Sequence, residues 1–271
     1  KAENIIGHDH PFLVVNGDVF TKVDYAEVVS LHREKKAVAT IVLCRVEDPS
    51  RFGVAKLGSG NRIERFVEKP SRQDAPSNLI NAGVYTLSPQ IFEYIPKKQK
   101  LSLERDVFPV LAEKGELYGY VFDGLWTDIG KPEDYLDINK TMLKSLTNPR
   151  GYEPLKNAEI RMPVALDRKV TIGRESVVGP YAVLGRGATV GDAVRIRESV
   201  VLPDTVIQDS ASISGAIIGE GVTVGKRVKI GKGCMLGDHS RIDDDVMLAE
   251  GVAVCPAKEV TENVSTAKCI V

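Results

Sequence analysis

The chain has 271 residues, of which 43% are hydrophobic and 27% charged, a globular composition whose length suits about two domains. Its 36 basic and 37 acidic residues give a net charge of −1, without the positive excess typical of proteins that bind nucleic acid or anionic membranes. No apolar run approaches the roughly 20 residues that span a bilayer, and the first residues lack the apolar segment of a signal peptide. The four cysteines form no C-x-x-C pair, which predicts small buried side chains in a reducing cytoplasm.

Strands and helices alternate through the first half of the chain. The patterns predict strands at residues 12–15, 37–46, 53–57, 62–67, 82–87 and 117–122, and helices from Asp24 to about Lys35, from Ser102 to near Gly115 and from Pro132 onward. Gly58 and Gly60 lie in a hairpin turn rather than a phosphate loop, because no helix follows them. The alternation predicts an α/β Rossmann-like domain with a largely parallel sheet over residues 1–148.

Residues 149–271 follow a different pattern, in which an aliphatic side chain recurs every six residues. One phase runs from Ile172 to Leu202, slips near Ile207 and Ile213, and resumes from Ile218 to Val254. A six-residue period makes no stripe on a helix of 3.6 residues per turn, but it suits short stacked strands whose aliphatic side chains point inward. Glycine often follows the aliphatic and is interpreted as easing the turn.

This repeat resembles the hexapeptide left-handed β-helix, in which three hexads make one coil. About four to five coils fit into the chain. The flat faces and coil ends of such a domain favour symmetric association, so we expect a homo-oligomer assembled through the β-helix.

Two aspartates follow strands of the first half. Asp18 ends the segment Asn16-Gly17-Asp18 after the first strand, and ligands of open α/β sheets gather at such strand ends. A carboxylate there suits Mg²⁺, which prefers oxygen ligands and bridges to phosphates, although an aspartate after a strand is equally often a cap or turn residue. Asp128 lies between a strand and the helix at Pro132, where it could also be a turn residue.

Two further segments carry polar residues at strand positions. Glu68 and Lys69 end a strand before Pro70; they form either an exposed ion pair or a site where Glu68 binds a sugar hydroxyl and Lys69 neutralises a phosphate. Gly83 within a strand indicates close approach of a ligand or another backbone. Asn81 beside it could bind a polar substrate or satisfy a turn.

Taken together, the segments GDVF (17–20), FGVA (52–55), FVEKP (66–70), NAGVY (81–85), ERDVFPVLAEKG (104–115) and WTDIGKPEDYL (126–136) resemble the sugar-phosphate nucleotidyltransferases. Among these, mannose-1-phosphate guanylyltransferases are the most similar. The resemblance covers nearly the whole chain, because a β-helix also follows the catalytic domain in that family.

The resemblance implies a reaction, a cofactor and a set of site residues. Asp18 and Asp128 match the family's metal-binding aspartates, and Glu68 and Lys69 match the residues that hold the sugar and its phosphate. Positions that line the sugar pocket correspond to Gly53, Asn81 and Gly83. The substrates would be a nucleoside triphosphate and a sugar 1-phosphate, with Mg²⁺ as cofactor, and the catalytic residues would be Asp18, Lys69 and Asp128.

The family's amino-terminal glycine-rich segment, which cradles the triphosphate, has no counterpart before Asp18. We therefore expect a nucleotidyltransferase domain that is incomplete at its amino terminus, either as a piece of a longer enzyme or completed by a separate segment. A non-catalytic relative is the third interpretation.

Several functions remain open at this stage. The first is synthesis of GDP-mannose, and the second is uridylyl or thymidylyl transfer to glucose 1-phosphate on the same scaffold. A regulatory or assembly subunit that binds sugar nucleotide without turnover is the alternative of another class. Acyl transfer, common among hexapeptide β-helices, is disfavoured because His239 is the only histidine in the repeats.

Overall fold

The computed structural model of the chain describes residues 3–96, 100–145 and 157–271. These residues form two compact units, Lys1–Asp128 and Ile129–Val271. The predicted domain boundary at 148/149 lies outside the described residues. Within the described ranges, no helix combines the length and apolar character that crossing a membrane requires.

The first unit contains every strand predicted for the first half, with ends shifted by a few residues. Its α-helices are α1 (Glu3–Ile6), α2 (Tyr25–Lys35) and α3 (Phe108–Lys114), and a short helix at Leu103–Val107 immediately precedes α3. Its strands are β1 (Phe12–Val15), β2 (Val19–Thr21), β3 (Ala39–Arg45), β4 (Gly53–Leu57), β5 (Ile63–Glu68), β6 (Leu79–Leu87), β7 (Leu117–Val121) and β8 (Trp126–Asp128). The three-residue strands β2 and β8, which pair with each other, had no counterpart in the prediction.

The main sheet is mixed, so the prediction of a largely parallel sheet is wrong. Its order is β5-β4-β6-β3-β7, with β1 also paired to β6. Among these pairs only β3 and β7 run parallel. The tight turn at Gly58–Asn61 makes β4 and β5 an antiparallel hairpin, and β6 runs antiparallel to each of its neighbours.

Both faces of this sheet are covered at strands β3 and β6, which explains their long buried runs. The apolar run of β1, predicted as a fully buried strand, is not fully buried, because Leu13 and Val15 are exposed. Side chains at alternate positions of β3 enter two different clusters. Ala39, Ile41 and Leu43 pack in the cluster that includes Phe108 of α3, and Val42 packs in the cluster of α2. The predicted helix starts at Asp24 and Ser102 are confirmed, since each side chain accepts a hydrogen bond from a backbone N–H of the first turn.

A buried histidine ties α2 to the sheet. His32 is 1% exposed; its Nδ1 lies 3.0 Å from Thr40 Oγ1 and its Nε2 lies 2.9 Å from Ser88 Oγ. Because Ser88 Oγ donates its proton to the carbonyl of Ala37, it must accept from Nε2–H, and Nδ1 then accepts from Thr40. Burial lowers the pKa of His32 from 6.5 to about 4, with the charge of Arg33 adding to the shift.

We expect His32 to make the first unit less stable in mild acid. The unfolded chain binds this proton below pH 6.5 and the folded chain only below about pH 4, so stability is full above pH 6.5 and falls as the pH drops through that window. The loss should reach about 3 kcal/mol. The measurement is the free energy of unfolding by denaturant at pH 7 and at pH 4.5. The difference between the two values should be smaller in His32→Gln than in the wild type. An equal difference in both proteins would show that His32 does not cause the loss.

The second unit is the predicted β-helix, built from three parallel sheets after helix α4 (Pro132–Ser145). The first sheet contains Val164–Leu166, Ala182–Leu184, Val200–Val201, Ile217–Ile218, Met235–Leu236, Ala253–Val254 and Cys269–Ile270. The second contains Thr171–Ile172, Thr189–Val190, Val206–Ile207, Thr223–Val224, Arg241–Ile242 and Glu259–Val260. The third contains Glu159–Ile160, Val177–Val178, Arg195–Arg197, Ser212–Ser214, Lys229–Ile230 and Met247–Leu248.

Seven stacked strands in the first sheet and six in each of the other two make about six coils, so the predicted four to five is too few. The prediction missed strands at the ends, where the hexad is irregular. The first strand ends in Ile160, ahead of the regular run, and the last strand, Cys269–Ile270, pairs with Ala253–Val254 only 16 positions earlier.

The slip in the repeat comes from two short steps. Most strands pair with a residue 18 positions on, as Thr171 with Thr189, whereas Thr189 pairs with Val206, only 17 on. The pairing register shows that the spacing from one strand to the next is five residues instead of six at two places, before Val200 and before Ile217. Val201 therefore aligns with the interior residues Leu184 and Ile218, and the prediction that assigned this position to the half-buried Leu202 is wrong.

The repeated glycines serve the stacking of coils rather than the turns. A Cβ atom on Gly219 or Gly225 would lie 2.6 Å from an aspartate oxygen of the next coil, on Asp238 or Asp244. Each of these oxygens accepts a backbone N–H bond from the coil below, at 2.9 and 2.8 Å. The turns themselves use positive φ angles two residues later, as at Gly221.

The cysteines do not all fit the prediction of buried side chains. Cys44 and Cys234 are buried, but Cys255 is half-buried and Cys269 is exposed. Cys269 is the exposed first residue of strand Cys269–Ile270, and Cys255 follows the buried Val254 at the end of its strand, so neither occupies the interior position of its coil.

Candidate active site

One cavity of the first unit brings together all seven predicted site residues. Its volume is about 190 Å³, and it opens beside the ends of β1, β5 and β8. The predicted residues on its wall are Asp18, Gly53, Glu68, Lys69, Asn81, Gly83 and Asp128. Five segments that lie far apart in the sequence therefore meet at one site.

The two aspartates reach the cavity through the small sheet that the prediction lacked. Strand β2 pairs antiparallel with β8 so that Val19 faces Asp128, which places Asp18 beside the end of β8. Two carboxylates on one wall form a donor set of hard oxygens, which suits a divalent cation such as Mg²⁺. No group of three or more candidate metal ligands occurs within the described ranges, so phosphate or water oxygens would have to fill the other positions.

Gly53 has a steric role in this wall. It pairs with Glu68 across the β4–β5 hairpin. A Cβ atom at Gly53 would lie 2.5 Å from Phe66 Cζ and 2.7 Å from Glu68 Oε2. Glycine thus lets the Glu68 carboxylate lie over the backbone of β4 instead of being pushed out of the cavity.

Asn81 and Gly83 lie at a β-bulge in β6. The register against β3 shifts between Ile41 and Leu43, and Gly83 has a φ angle of 70°. The Asn81 side-chain oxygen accepts a 2.9 Å bond from the N–H of Gly83. Trp126 secures the same bulge, because its indole N–H donates to the carbonyl of Ala82 at 2.9 Å. The glycine prediction is explained by the bulge and by the close side chain of Asn16, 2.8 Å from a Cβ placed at Gly83.

A second glutamate faces the cavity and was not predicted. The Tyr85 hydroxyl donates to Glu104 Oε1 at 3.2 Å, and Ser102 Oγ donates to Glu104 Oε2 at 2.6 Å. Asn81 Nδ2 donates to the Tyr85 hydroxyl at 2.9 Å, which links this pair to the bulge. The sequence signal was weak, because Glu104 lies in the first turn of a helix, where glutamate is ordinary.

The electrostatics of the wall centre on Glu68. Burial raises the pKa of Glu68, and the nearby charge of Glu104 raises it further, against the opposing effect of Lys69. Its Oε2 atom is buried and has no hydrogen-bond partner among the described residues. A buried carboxylate oxygen without a donor is costly, so the cavity is suited to a ligand that carries a hydroxyl or another O–H or N–H donor.

The opposite charge is supplied by two exposed cations. Lys69 follows β5 with a φ angle of 49°, and its N–H donates to the carbonyl of Phe52 at 3.0 Å. Arg51, which the sequence reasoning missed, lines the same cavity from the segment before β4. The site thus combines two aspartates, two glutamates and two cations, an arrangement that can bind a polyhydroxylated ligand with a phosphate group.

Fold and cavity together define an α/β domain that presents carboxylates and cations at its strand ends, followed by a parallel β-helix. The chain belongs to the nucleotidyl transferase family, since the family model described as "Nucleotidyl transferase" matches residues 1–145. The model described as "GMPPB C-terminal domain" matches residues 160–270. The predicted resemblance to sugar-phosphate nucleotidyltransferases is confirmed.

Two curated relatives support the same grouping. The chain is 36% identical over 164 residues to "Probable mannose-1-phosphate guanylyltransferase 3" of Arabidopsis thaliana, covering 60% of this chain and 49% of the relative. It is 40% identical over 157 residues to "Mannose-1-phosphate guanyltransferase" of Yarrowia lipolytica, covering 56% and 42%. The chain thus spans about half the length of the curated relatives it matches. A solved structure titled as a putative glucose-1-phosphate thymidylyltransferase from Bacillus anthracis matches with 25% identity and a TM-score of 0.46, covering 56% of this chain and 60% of that one.

Proposed function

We propose that this protein transfers a nucleotidyl group from a nucleoside triphosphate to a sugar 1-phosphate, with GTP and mannose 1-phosphate as substrates and GDP-mannose and pyrophosphate as products. The observation that carries the proposal is the convergence of Asp18, Glu68, Lys69, Asn81 and Asp128 in one cavity. The names of the relatives supply the choice of mannose and guanine.

The proposed reaction needs no general base. A phosphate monoester is mostly dianionic at pH 7, because its second pKa is about 6, so the attacking oxygen is already ionised. That oxygen forms a bond to the α-phosphorus while the bond to the leaving pyrophosphate breaks. The protein must hold the two in line and offset the charge on the phosphates.

The residues divide into two groups by their chemistry. Lys69 and Arg51 would neutralise the sugar phosphate, and the Glu68 carboxylate would accept hydrogen bonds from sugar hydroxyls. Asp18 and Asp128 would hold Mg²⁺, which when bound offsets charge on the phosphate oxygens. In this arrangement the acidic residues bind the sugar and the metal, and the cations bind the phosphate.

The test is release of pyrophosphate in the presence of Mg²⁺ and mannose 1-phosphate, with each nucleoside triphosphate in turn. We expect turnover with GTP to exceed that with UTP, dTTP or ATP. Pyrophosphate release with glucose 1-phosphate and UTP or dTTP is measured for comparison, and the pair of substrates that reacts fastest identifies the sugar and the base. Failure with every pair would contradict the proposal and favour a regulatory subunit.

Glu104 should determine affinity for the sugar. A hydroxyl bonded to a charged group contributes about 1.5–3 kcal/mol, so Glu104→Gln should raise the KM for the sugar 1-phosphate by roughly 10- to 100-fold. The KM for the triphosphate should change little. Glu113→Gln, an exposed glutamate of α3, is the matched control. Equal changes in both KM values would show that Glu104 does not bind the sugar.

Assembly and location complete the proposal. We infer that the β-helix mediates homo-oligomer formation, that residues 1–148 and 149–271 act as catalytic and assembly domains, and that the protein works in the cytoplasm. Flat parallel sheets support the first point, because their exposed faces can pack against a second copy. Sedimentation at micromolar concentration should show an oligomer, and a monomer would contradict it.

A further inference from the structure

Two cysteines lie close together on the surface of the β-helix, and neither lines the candidate active site. Cys255 Sγ lies 3.8 Å from Cys269 Sγ. Neither thiol is buried, so both are accessible to small solutes. Within the described ranges no third cysteine, histidine or carboxylate joins them in a metal-binding group.

The backbone holds the two thiols on neighbouring coils. Strand Cys269–Ile270 pairs in parallel with Ala253–Val254. The N–H of Ala253 donates to the carbonyl of Lys268 at 2.9 Å, and the N–H of Cys255 donates to the carbonyl of Ile270 at 2.8 Å. These bonds hold the two segments side by side, with Cys255 two positions beyond Ala253, the partner of Cys269. The sulfur atoms, 3.8 Å apart, would have to approach to the bond length of about 2 Å.

Strand Cys269–Ile270 lies at one of the two edges of this sheet among the described residues. It is the last of the seven strands in its sheet and pairs on one side only. Residues 256–268, between the two cysteines, reach this strand after pairing in the second sheet at Glu259–Val260. A link between the cysteines would close this segment as a loop and prevent the terminal strand from separating.

We propose that Cys255 and Cys269 form a reversible intrachain disulfide that fastens the last strand of the β-helix. The co-reactant is a low-molecular-weight disulfide such as oxidised glutathione. The exposed Cys269 thiolate attacks one glutathione sulfur, and one glutathione thiolate leaves. Cys255 then attacks Cys269 Sγ and expels the second glutathione. The protein loses two electrons and two protons, and oxidised glutathione becomes two molecules of reduced glutathione.

The test is to equilibrate the whole protein with oxidised glutathione, block free thiols and map the peptides without reduction. We expect a Cys255–Cys269 link with no retained glutathione, and free Cys44 and Cys234. Cys255→Ser should instead keep glutathione on Cys269, because the resolving thiol is gone. Reduction should restore all four free thiols.

Hydrogen exchange supplies the second readout. A closed loop of this size should increase protection of the Ile270 amide by on the order of 100-fold relative to the reduced protein. Cys255→Ser should show no such change with oxidant. Glutathione retained on both cysteines of the wild type, links between chains, or equal exchange in both redox states would overturn the proposal.

Discussion

Turnover should fall by about 10³-fold when Asp18 or Asp128 is replaced by asparagine, because each substitution removes one of the two carboxylate charges proposed to hold Mg²⁺ against the phosphates. Asparagine keeps the size of the side chain, so the pairing of β2 with β8 should remain. The measurement is kcat from pyrophosphate release at saturating substrates, with Mg²⁺ titrated for each variant.

The matched control for this experiment is Asp123→Asn. Asp123 belongs to the same unit but is exposed, lies 3.8 Å from Arg45 in a surface ion pair, and does not line the cavity. Surface pairs of this kind contribute little, so activity should be unchanged. An Asp18 or Asp128 variant that reaches wild-type kcat at high Mg²⁺ would limit that residue to a role in metal affinity, and wild-type behaviour at all concentrations would exclude it from the site.

Sequence reasoning found the site because its parts are short and local. Asp18 and Glu68 each follow a run with a clear strand pattern, and polar residues at strand ends are candidates for a ligand site. The strand pattern alone does not bring these two together, because β1 and β5 run in opposite directions in the mixed sheet, and it was the ordered motif set that grouped them. The motif set added Asp128, whose strand β8 is only three residues long and gives no periodic signal.

Glu104 and Arg51 could not be found in this way. Each is a charged residue at a helix start or in a loop, where such residues are usually solvated. What distinguishes Glu104 is the pair of donors from Tyr85 and Ser102, which are 19 and two positions away. A contact between β6 and the helix that precedes α3 depends on packing, and no local pattern encodes it.

The same distinction explains the errors in the fold. Apolar runs indicate that a strand is buried on both faces, but they do not specify the direction of its neighbours, so the mixed sheet was missed. In the β-helix, periodicity gave the architecture because each coil contacts only its neighbours. It failed at Leu202, where a step of five residues moved Val201 into the interior, and only the stacking register reveals that step.

The largest effect on stability is expected for Gly179→Ala. Gly179 has a φ angle of 103°, and a Cβ atom there would overlap the carbonyl oxygen of Arg161 and lie 2.6 Å from Val164 Cγ2. This carbonyl is a backbone group and cannot rotate away as a side chain could. The backbone of Arg161 is also held in place, because its N–H donates to the carbonyl of Val178 at 2.8 Å. We expect the β-helix to lose about 4 kcal/mol or more.

Gly233→Ala separates overlap from backbone conformation. Gly233 also has a positive φ angle, 74°, but the nearest atoms to an added Cβ are 3.7 Å away. Its cost should therefore be only the strain of a left-handed residue, about 1–2 kcal/mol. Hydrogen exchange of the coil amides is the proper measurement, because the single Trp126 belongs to the other unit and its fluorescence reports that unit. Equal losses of stability in the two variants would mean that the Arg161 carbonyl moves to make room for the added Cβ. Glycine would then be required at position 179 by its positive φ angle and not by the close contact.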